Sequence, residues 1–238
     1  MVIAIPSAIK TFNWLGTLWG ANIRMTAPMI NALSFVSTFT IGGHSGIFMA
    51  ITPVDIFIHD TYYIVAHFHY VVAGIIFAMF AAINFWYPKM FGRMMNETVA
   101  KIHAIGTFIF FNCAFFPMHM LGVGGHMRRI YNPMQYEFLA DLQPMNVFIT
   151  ISAFLLGATQ LLFIGNFFYG LFAGKKASEN PWESNTLEWT VPSPPGHGNF
   201  PVTPTVHRGP YEYASPEVTE DYLPQTRDIG GPARAAAH

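Results

Sequence analysis

The sequence predicts an all-α membrane protein: a bundle of about five transmembrane helices, the first of them partial, followed by an extended C-terminal tail. Three observations carry this. Charged residues make up only 11% of the 238 residues, against about 25% in soluble domains. They are also uneven, because 12 of the 25 fall in the first 174 residues and 13 in the last 64. Four long stretches contain no Asp, Glu, Lys or Arg: Met25 to Val54, Thr61 to Pro88, Ile102 to Met127 and Leu142 to Gly174. Each exceeds the roughly 20 residues that cross about 30 Å of hydrocarbon as a helix, and each is far too long for a barrel strand.

The first element, residues 1–22, is interrupted by Pro6 and Lys10 but is otherwise apolar, with Trp14 and Trp19 toward its end as interfacial anchors. It reads as a helix that starts partway through the bilayer, so the chain is expected to be incomplete by itself. No basic region precedes the apolar run, which separates it from a signal peptide. The next four helices are expected over residues 26–50, 61–88, 101–126 and 143–174. The remainder, residues 175–238, holds ten of the 17 prolines and turn-rich runs such as Pro192-Ser193-Pro194-Pro195-Gly196. It reads as an extended arm whose end, after Pro216, is disordered.

Arg24, Lys89, Arg93, Lys101, Lys175 and Lys176 fall on one side of the alternating helices, and only Arg128 and Arg129 border them on the other. That bias assigns the first side and the tail to the cytoplasm or its organellar equivalent. A formal net charge of -1 removes any argument for nucleic-acid binding through bulk charge. The single cysteine, Cys113, excludes an internal disulfide framework and any cysteine-built zinc or iron–sulfur site.

The chemistry concentrates in His59-Asp60-Thr61-Tyr62-Tyr63-Ile64-Val65-Ala66-His67-Phe68-His69-Tyr70, where a charge-free helix begins. Successive helical residues turn by about 100°, so His67 and His69 point roughly 200° apart. They are poorly placed to bind one metal together and well placed to bind two, one on each side. Imidazole within hydrocarbon is costly and usually functional, and it is the commonest axial ligand of haem iron. Interhelical hydrogen bonding by both is the plainer alternative.

This segment resembles the tenth-helix motif of subunit I of the haem–copper oxidases, the cytochrome c oxidase type. The similarity continues in Ile5-Pro6-Ser7-Ala8-Ile9-Lys10, in Phe116-Pro117 with His119 and Leu121-Gly122, in Arg128-Arg129, and in Leu187-Glu188-Trp189 followed by Pro194-Pro195. It covers the chain to about Phe200 and corresponds to the C-terminal half of that twelve-helix fold, from the middle of the eighth helix through the twelfth. The resemblance implies that His67 is the proximal ligand of a high-spin haem, that His69 is an axial ligand of a low-spin haem, and that Phe68 lies between them; ordinary packing is the other reading of Phe68. It implies that His59 and Asp60 help hold a Mg²⁺ or Mn²⁺ ion at the outer surface, with a plain loop cap as the alternative. Arg128 and Arg129 match an arginine pair that binds haem propionates, a role suited to planar guanidinium donors, against simple interfacial snorkelling. Ser7 and Lys10 match a proton pathway to the oxygen site; a snorkelling Lys10 is the alternative. His44, within Gly42-Gly43-His44-Ser45-Gly46, departs from the apolar residue expected there, and close packing beside small residues is its plain account.

The family's copper-binding histidines, their linked tyrosine and the second axial ligand of the low-spin haem lie in its first seven helices, which this chain lacks. The resemblance therefore implies a portion of a terminal respiratory oxidase that reduces O₂ to water and moves protons. Its expected cofactors are two haems, of type a, and copper B completed by another chain. Its expected partners are a chain carrying the N-terminal part of subunit I, subunit II for electron entry, subunit III, and cytochrome c or a quinol as donor. The expected location is a bacterial plasma membrane or a mitochondrial inner membrane. An inactive truncated fragment, a membrane assembly protein without catalysis, and a related nitric oxide reductase stand as alternatives, the last disfavoured by Ser7 and Lys10.

Overall fold

The computed structural model describes residues 1–213, 216, 218–220 and 222–229. Among the described residues six α-helices follow one another: α1 (Ala4–Leu18), α2 (Ala27–Met49), α3 (Thr52–Ile58), α4 (Tyr62–Phe91), α5 (Glu97–Val123) and α6 (Gln143–Ala173). Short 3-10 turns precede α6 and recur at Leu187–Thr190. The extended pairing among the described residues is two isolated bridges, Thr61 with Met127 and Arg93 with Lys176. The architecture is all-α. Three helical stretches, Tyr62–Phe91, Glu97–Val123 and Glu137–Ala173, are long and apolar enough to cross a membrane. The pair α2 and α3 makes a fourth if counted together across a 103° bend.

The helix ends differ from a reading based on charge-free runs, and the reasons are local. The 15 residues of α1 reach roughly 22 Å, short of about 30 Å of hydrocarbon. α2 begins where the Thr26 hydroxyl accepts from the Met29 N–H, and the Glu97 carboxylate accepts from the Ala27 N–H at 2.7 Å. Such acceptors satisfy N–H groups that have no partner within the helix. Residues 52–58, expected as loop, form α3, with Pro53 in its first turn and Asp55 near its positive end. α5 starts at Glu97 rather than 101, because an acidic residue in the first turn favours a helix start. α4 runs through Pro88 and Lys89 to Phe91.

The chain divides into two units, Met1–Asn84 with Glu97–Asn166, and Phe85–Asn96 with Phe167–His238. In the first, Tyr70, Ala73, Phe77 and Phe111 form the core, with Phe35, Ile41, Phe108, Phe115 and Leu156 packed around them. Trp14 of α1 lies edge-on against Phe35 of α2, 4.8 Å between centroids. Helices close up where side chains are smallest. A Cβ on Gly42 would stand 3.1 Å from the Val71 nitrogen, and one on Gly122 would overlap the backbone of Tyr63. Such contacts are how membrane helices gain packing energy when burial from water supplies little.

In the second unit the Lys89 ammonium donates to the Glu179 and Val191 carbonyls, at 3.1 and 2.6 Å, and lies over the Trp189 ring. Trp182 donates to the Phe85 carbonyl at 2.8 Å. Fully buried Asn185 joins distant parts of the tail, donating to Glu212 O and accepting from the Leu223 N–H. The disordered end expected after Pro216 concerns, in part, residues outside those described; among the described ones Leu223 is 1% exposed.

Candidate functional site

The site is built at the start of α4. Thr61 caps this helix: its hydroxyl donates to Ile58 O at 2.6 Å and accepts from the Tyr63 N–H at 3.2 Å. Asp60 adopts a left-handed backbone, φ 55°, which an aspartate tolerates better than most residues. Its carboxylate turns toward Arg128, whose Nε donates to Oδ1 at 2.7 Å and whose Nη2 lies 2.5 Å from the same oxygen.

The backbone runs in parallel with this pair, because Arg128 N–H donates to Asp60 O at 3.0 Å and Tyr62 N–H to His126 O at 2.9 Å. Two loops 68 residues apart in sequence are therefore laced together at the mouth of the helix bundle. The hydrogen bond from Arg128 holds the Asp60 carboxyl below its ordinary value, and the charges of Arg128, His59 and Arg129 act in the same direction. Arg129, also left-handed at φ 64°, follows in the same loop.

His59 Nε2 lies 3.5 Å from Asp60 Oδ2 and its Nδ1 3.8 Å from Asp55 Oδ2. Among the described residues no group of three or more His, Cys, Asp or Glu side chains is arranged to hold a metal ion. His59 and Asp60 alone supply at most two of the roughly six ligands that a small divalent cation takes.

One and a half turns further along α4, His67 and His69 diverge to different neighbours. His67 faces α2: its Nδ1 is 3.0 Å from Gly42 O and 3.0 Å from Ser45 Oγ, and its Cε1 is 2.8 Å from where a Cβ on Gly46 would stand. His69 faces α5, its ring stacked on Phe115 at 4.1 Å and 18° and its Nδ1 bonded to Val65 O at 2.7 Å. A carbonyl oxygen can only accept, so each Nδ1 carries the proton and each Nε2 keeps its lone pair. This is the donor chemistry of an axial ligand, in which the second ring nitrogen is tied to a carbonyl. The two imidazoles fit two irons, one on each side of the helix. Phe68 is 42% exposed and its ring lies 4.3 Å from that of His69.

Ser7 and Lys10 lie on α1, away from these contacts. The Ser7 hydroxyl donates back to Ile3 O at 3.0 Å, and the Lys10 ammonium sits 5.6 Å from the Trp14 ring centroid. His44 donates to Thr40 O of its own helix at 2.8 Å, while Gly42 and Gly46 of the same run carry the close packing against α4.

Residues outside the expected set complete the site. Ser45, Gly42 and Gly46 cradle His67, and the small-residue run around His44 is the sequence signal for them. Phe115 backs His69. His126 is buried, its ring edge-on to Tyr62 and its Nε2 accepting from Asn146 at 3.1 Å. Buried His103 meets Gln160 of α6 at 3.2 Å.

Comparison with known proteins identifies the family of the chain. The family model described as Cytochrome C and Quinol oxidase polypeptide I matches residues 1–155. The chain is 47% identical over 214 residues to the cytochrome c oxidase subunit 1 of Synechocystis sp., covering 90% of this chain and 38% of that protein. It is 42% identical over 232 residues to the alternative cytochrome c oxidase subunit 1 of Bradyrhizobium diazoefficiens, covering 95% of this chain and 39% of that one. With the Bacillus subtilis cytochrome c oxidase subunit 1 it shares 42% over 208 residues, 87% of this chain and 33% of the relative. The chain thus spans between a third and two fifths of the length of these relatives. A chain from a heme-copper terminal oxidase dimer solved by cryo-EM superposes with a TM-score of 0.57 over 64% of this chain and 28% of that one, at 20% identity, a likeness of fold. With the apolar helices and the family match together, this integral membrane chain belongs to the Cytochrome C and Quinol oxidase polypeptide I family, the subunit I of haem–copper oxidases.

Proposed function

We propose that this chain forms the C-terminal portion of the catalytic subunit of a terminal respiratory oxidase, working only in a complex. The observation that carries the proposal is the pair of imidazoles on α4, each with Nδ1 tied to a backbone carbonyl and each packed against a different helix. In this reading His67 Nε2 would hold the high-spin haem and His69 Nε2 the low-spin haem, and Phe68, the residue between the two ligands, would lie between the haems. The chemistry that bound haem, of type a, and copper supply is electron transfer and reduction of O₂ to water.

Arg128 uses part of its five-donor guanidinium on Asp60 and keeps the remaining donors, with Arg129, for the propionates. Ser7 and Lys10 pass protons toward the oxygen site from α1. A Mg²⁺ or Mn²⁺ ion near His59 and Asp60 takes its remaining ligands from a partner. The copper ligands and the second ligand of the low-spin haem would come from the N-terminal helices of subunit I. Electrons enter from cytochrome c or a quinol through subunit II, subunit III completes the assembly, and the tail lies on the cytoplasmic or matrix side.

The test is reconstitution. Expressed alone, the chain inserts into the membrane but gives no oxidase activity and no normal pair of haem spectra; co-expression with the N-terminal portion and subunit II restores both. Sustained O₂ reduction by the purified single chain contradicts the proposal.

A further inference from the structure

The cradle around His67 contains a hydroxyl that no packing argument requires. Gly42, Ser45 and Gly46 occupy positions i, i+3 and i+4 of α2 and therefore share one helix face. That face meets the edge of the His67 ring. Ser45 Oγ lies 3.0 Å from His67 Nδ1 and 2.8 Å from Gly42 O, and Gly42 O lies 3.0 Å from the same Nδ1. Because the carbonyl only accepts, it receives both the Nδ1 proton and the Ser45 proton. The Ser45 lone pairs are then left facing the Nδ1–H group, so one imidazole proton is shared between two acceptors. Ser45 is 5% exposed, which keeps bulk water from replacing it. At the other edge, the missing side chain of Gly46 leaves the space that Cε1 occupies. His69 has a simpler setting, with one carbonyl of its own helix at its Nδ1.

We propose that Ser45 is a positioning residue for His67: its hydroxyl takes a share of the Nδ1 proton and thereby sets how strongly Nε2 donates to the high-spin haem iron. The inference rests on the reading of His67 as that axial ligand and adds the group that tunes it. A hydrogen bond accepted from the distal N–H raises the basicity of a ligating imidazole. Removing the second acceptor therefore weakens the iron–nitrogen bond and disfavours the ferric state, whereas the conservative change Ser45→Thr preserves the hydroxyl.

The experiment uses the assembled complex carrying Ser45→Ala, Ser45→Thr or, as control, Ser34→Ala, whose hydroxyl donates to Ile30 O of the same helix at 2.8 Å. The readouts are the resonance Raman iron–imidazole stretch of the reduced high-spin haem, its midpoint potential, and the low-spin optical band. Ser45→Ala is expected to keep both haems, lower the stretching frequency and raise the high-spin potential, leaving the low-spin band unmoved. Ser45→Thr restores the wild-type values, and Ser34→Ala changes neither. Loss of the high-spin haem in Ser45→Ala with retention in Ser45→Thr also supports the role. An unchanged stretch and potential in Ser45→Ala, or equal damage by Ala and Thr, overturns the proposal while the ligand assignment stands. Survival of the iron–imidazole band in His67→Ala overturns the assignment itself.

Discussion

On one side of α4, His67 is held by a neighbouring helix; on the other, His69 is held by its own. The His67 ring meets a carbonyl, a hydroxyl and a bare glycine of α2. The His69 ring is anchored to Val65 O one turn back and flattened against Phe115. The difference teaches that two histidines separated by one residue can be independently adjustable. A shift of α2 against α4 moves one ring, whereas a change on α5 moves the support of the other. Separate supports of this kind let each imidazole be oriented by a different neighbour.

The largest expected effect that breaks the symmetry comes from Gly46→Ala. Its new methyl would stand 2.8 Å from His67 Cε1, a distance at which something must move. The ring is pinned at Nδ1, so it tilts rather than slides. We expect the assembled complex to lose or blur its high-spin signal and carbon monoxide binding while the low-spin spectrum persists. An equal loss of both would show that the two faces are not independent.

A smaller effect is expected from Phe115→Ala on the opposite face. An aromatic stack of this kind contributes about 1 kcal/mol beyond its packing area. The variant should broaden the low-spin spectrum and lower thermal stability slightly, with the high-spin site unchanged. Spectra of the two single variants and of the double variant check this; effects on the two haems that simply add are the expected outcome.

The smallest effect belongs to Asp60 and Arg128, which lace the loops at the head of α4 and favour neither face. Arg128 depresses the Asp60 carboxyl, so the pair's contribution is present above the ordinary aspartate range. It is lost as pH falls below about 4 toward the lowered folded-state value. Thermal unfolding of the complex and of Asp60→Asn between pH 6 and pH 3 should show a modest difference that closes on acidification. Both haem signals should respond together.

Much of this was legible in the residues. Charge-free runs predict α2, α4, α5 and α6, and the 100° turn per residue separates His67 from His69 without any structure. Charge was a poor guide to where helices end, because Glu97 and Lys89 belong inside helix termini where their charges are favourable or bonded. α3 was hidden inside a run read as span and loop. The partners of the functional residues were the least legible part. Asp60 and Arg128 lie 68 residues apart, and Gly42 to Gly46 read as a small-residue packing run until α4 is laid against it. Local pattern determines which residues share a face; which helix that face meets is a non-local fact.

The central claim is that α4 presents its two imidazoles to two different iron atoms, and the most direct test is optical and EPR spectroscopy of the assembled His67→Ala and His69→Ala complexes, with carbon monoxide binding as the reporter of the high-spin site. The account predicts that His69→Ala chiefly removes the low-spin signal and leaves carbon monoxide binding, and that His67→Ala chiefly disturbs the high-spin, ligand-binding haem and leaves the low-spin signal. Turnover should be crippled in both, so activity alone does not discriminate. Loss of the same single centre in both variants, with the other intact, would contradict it.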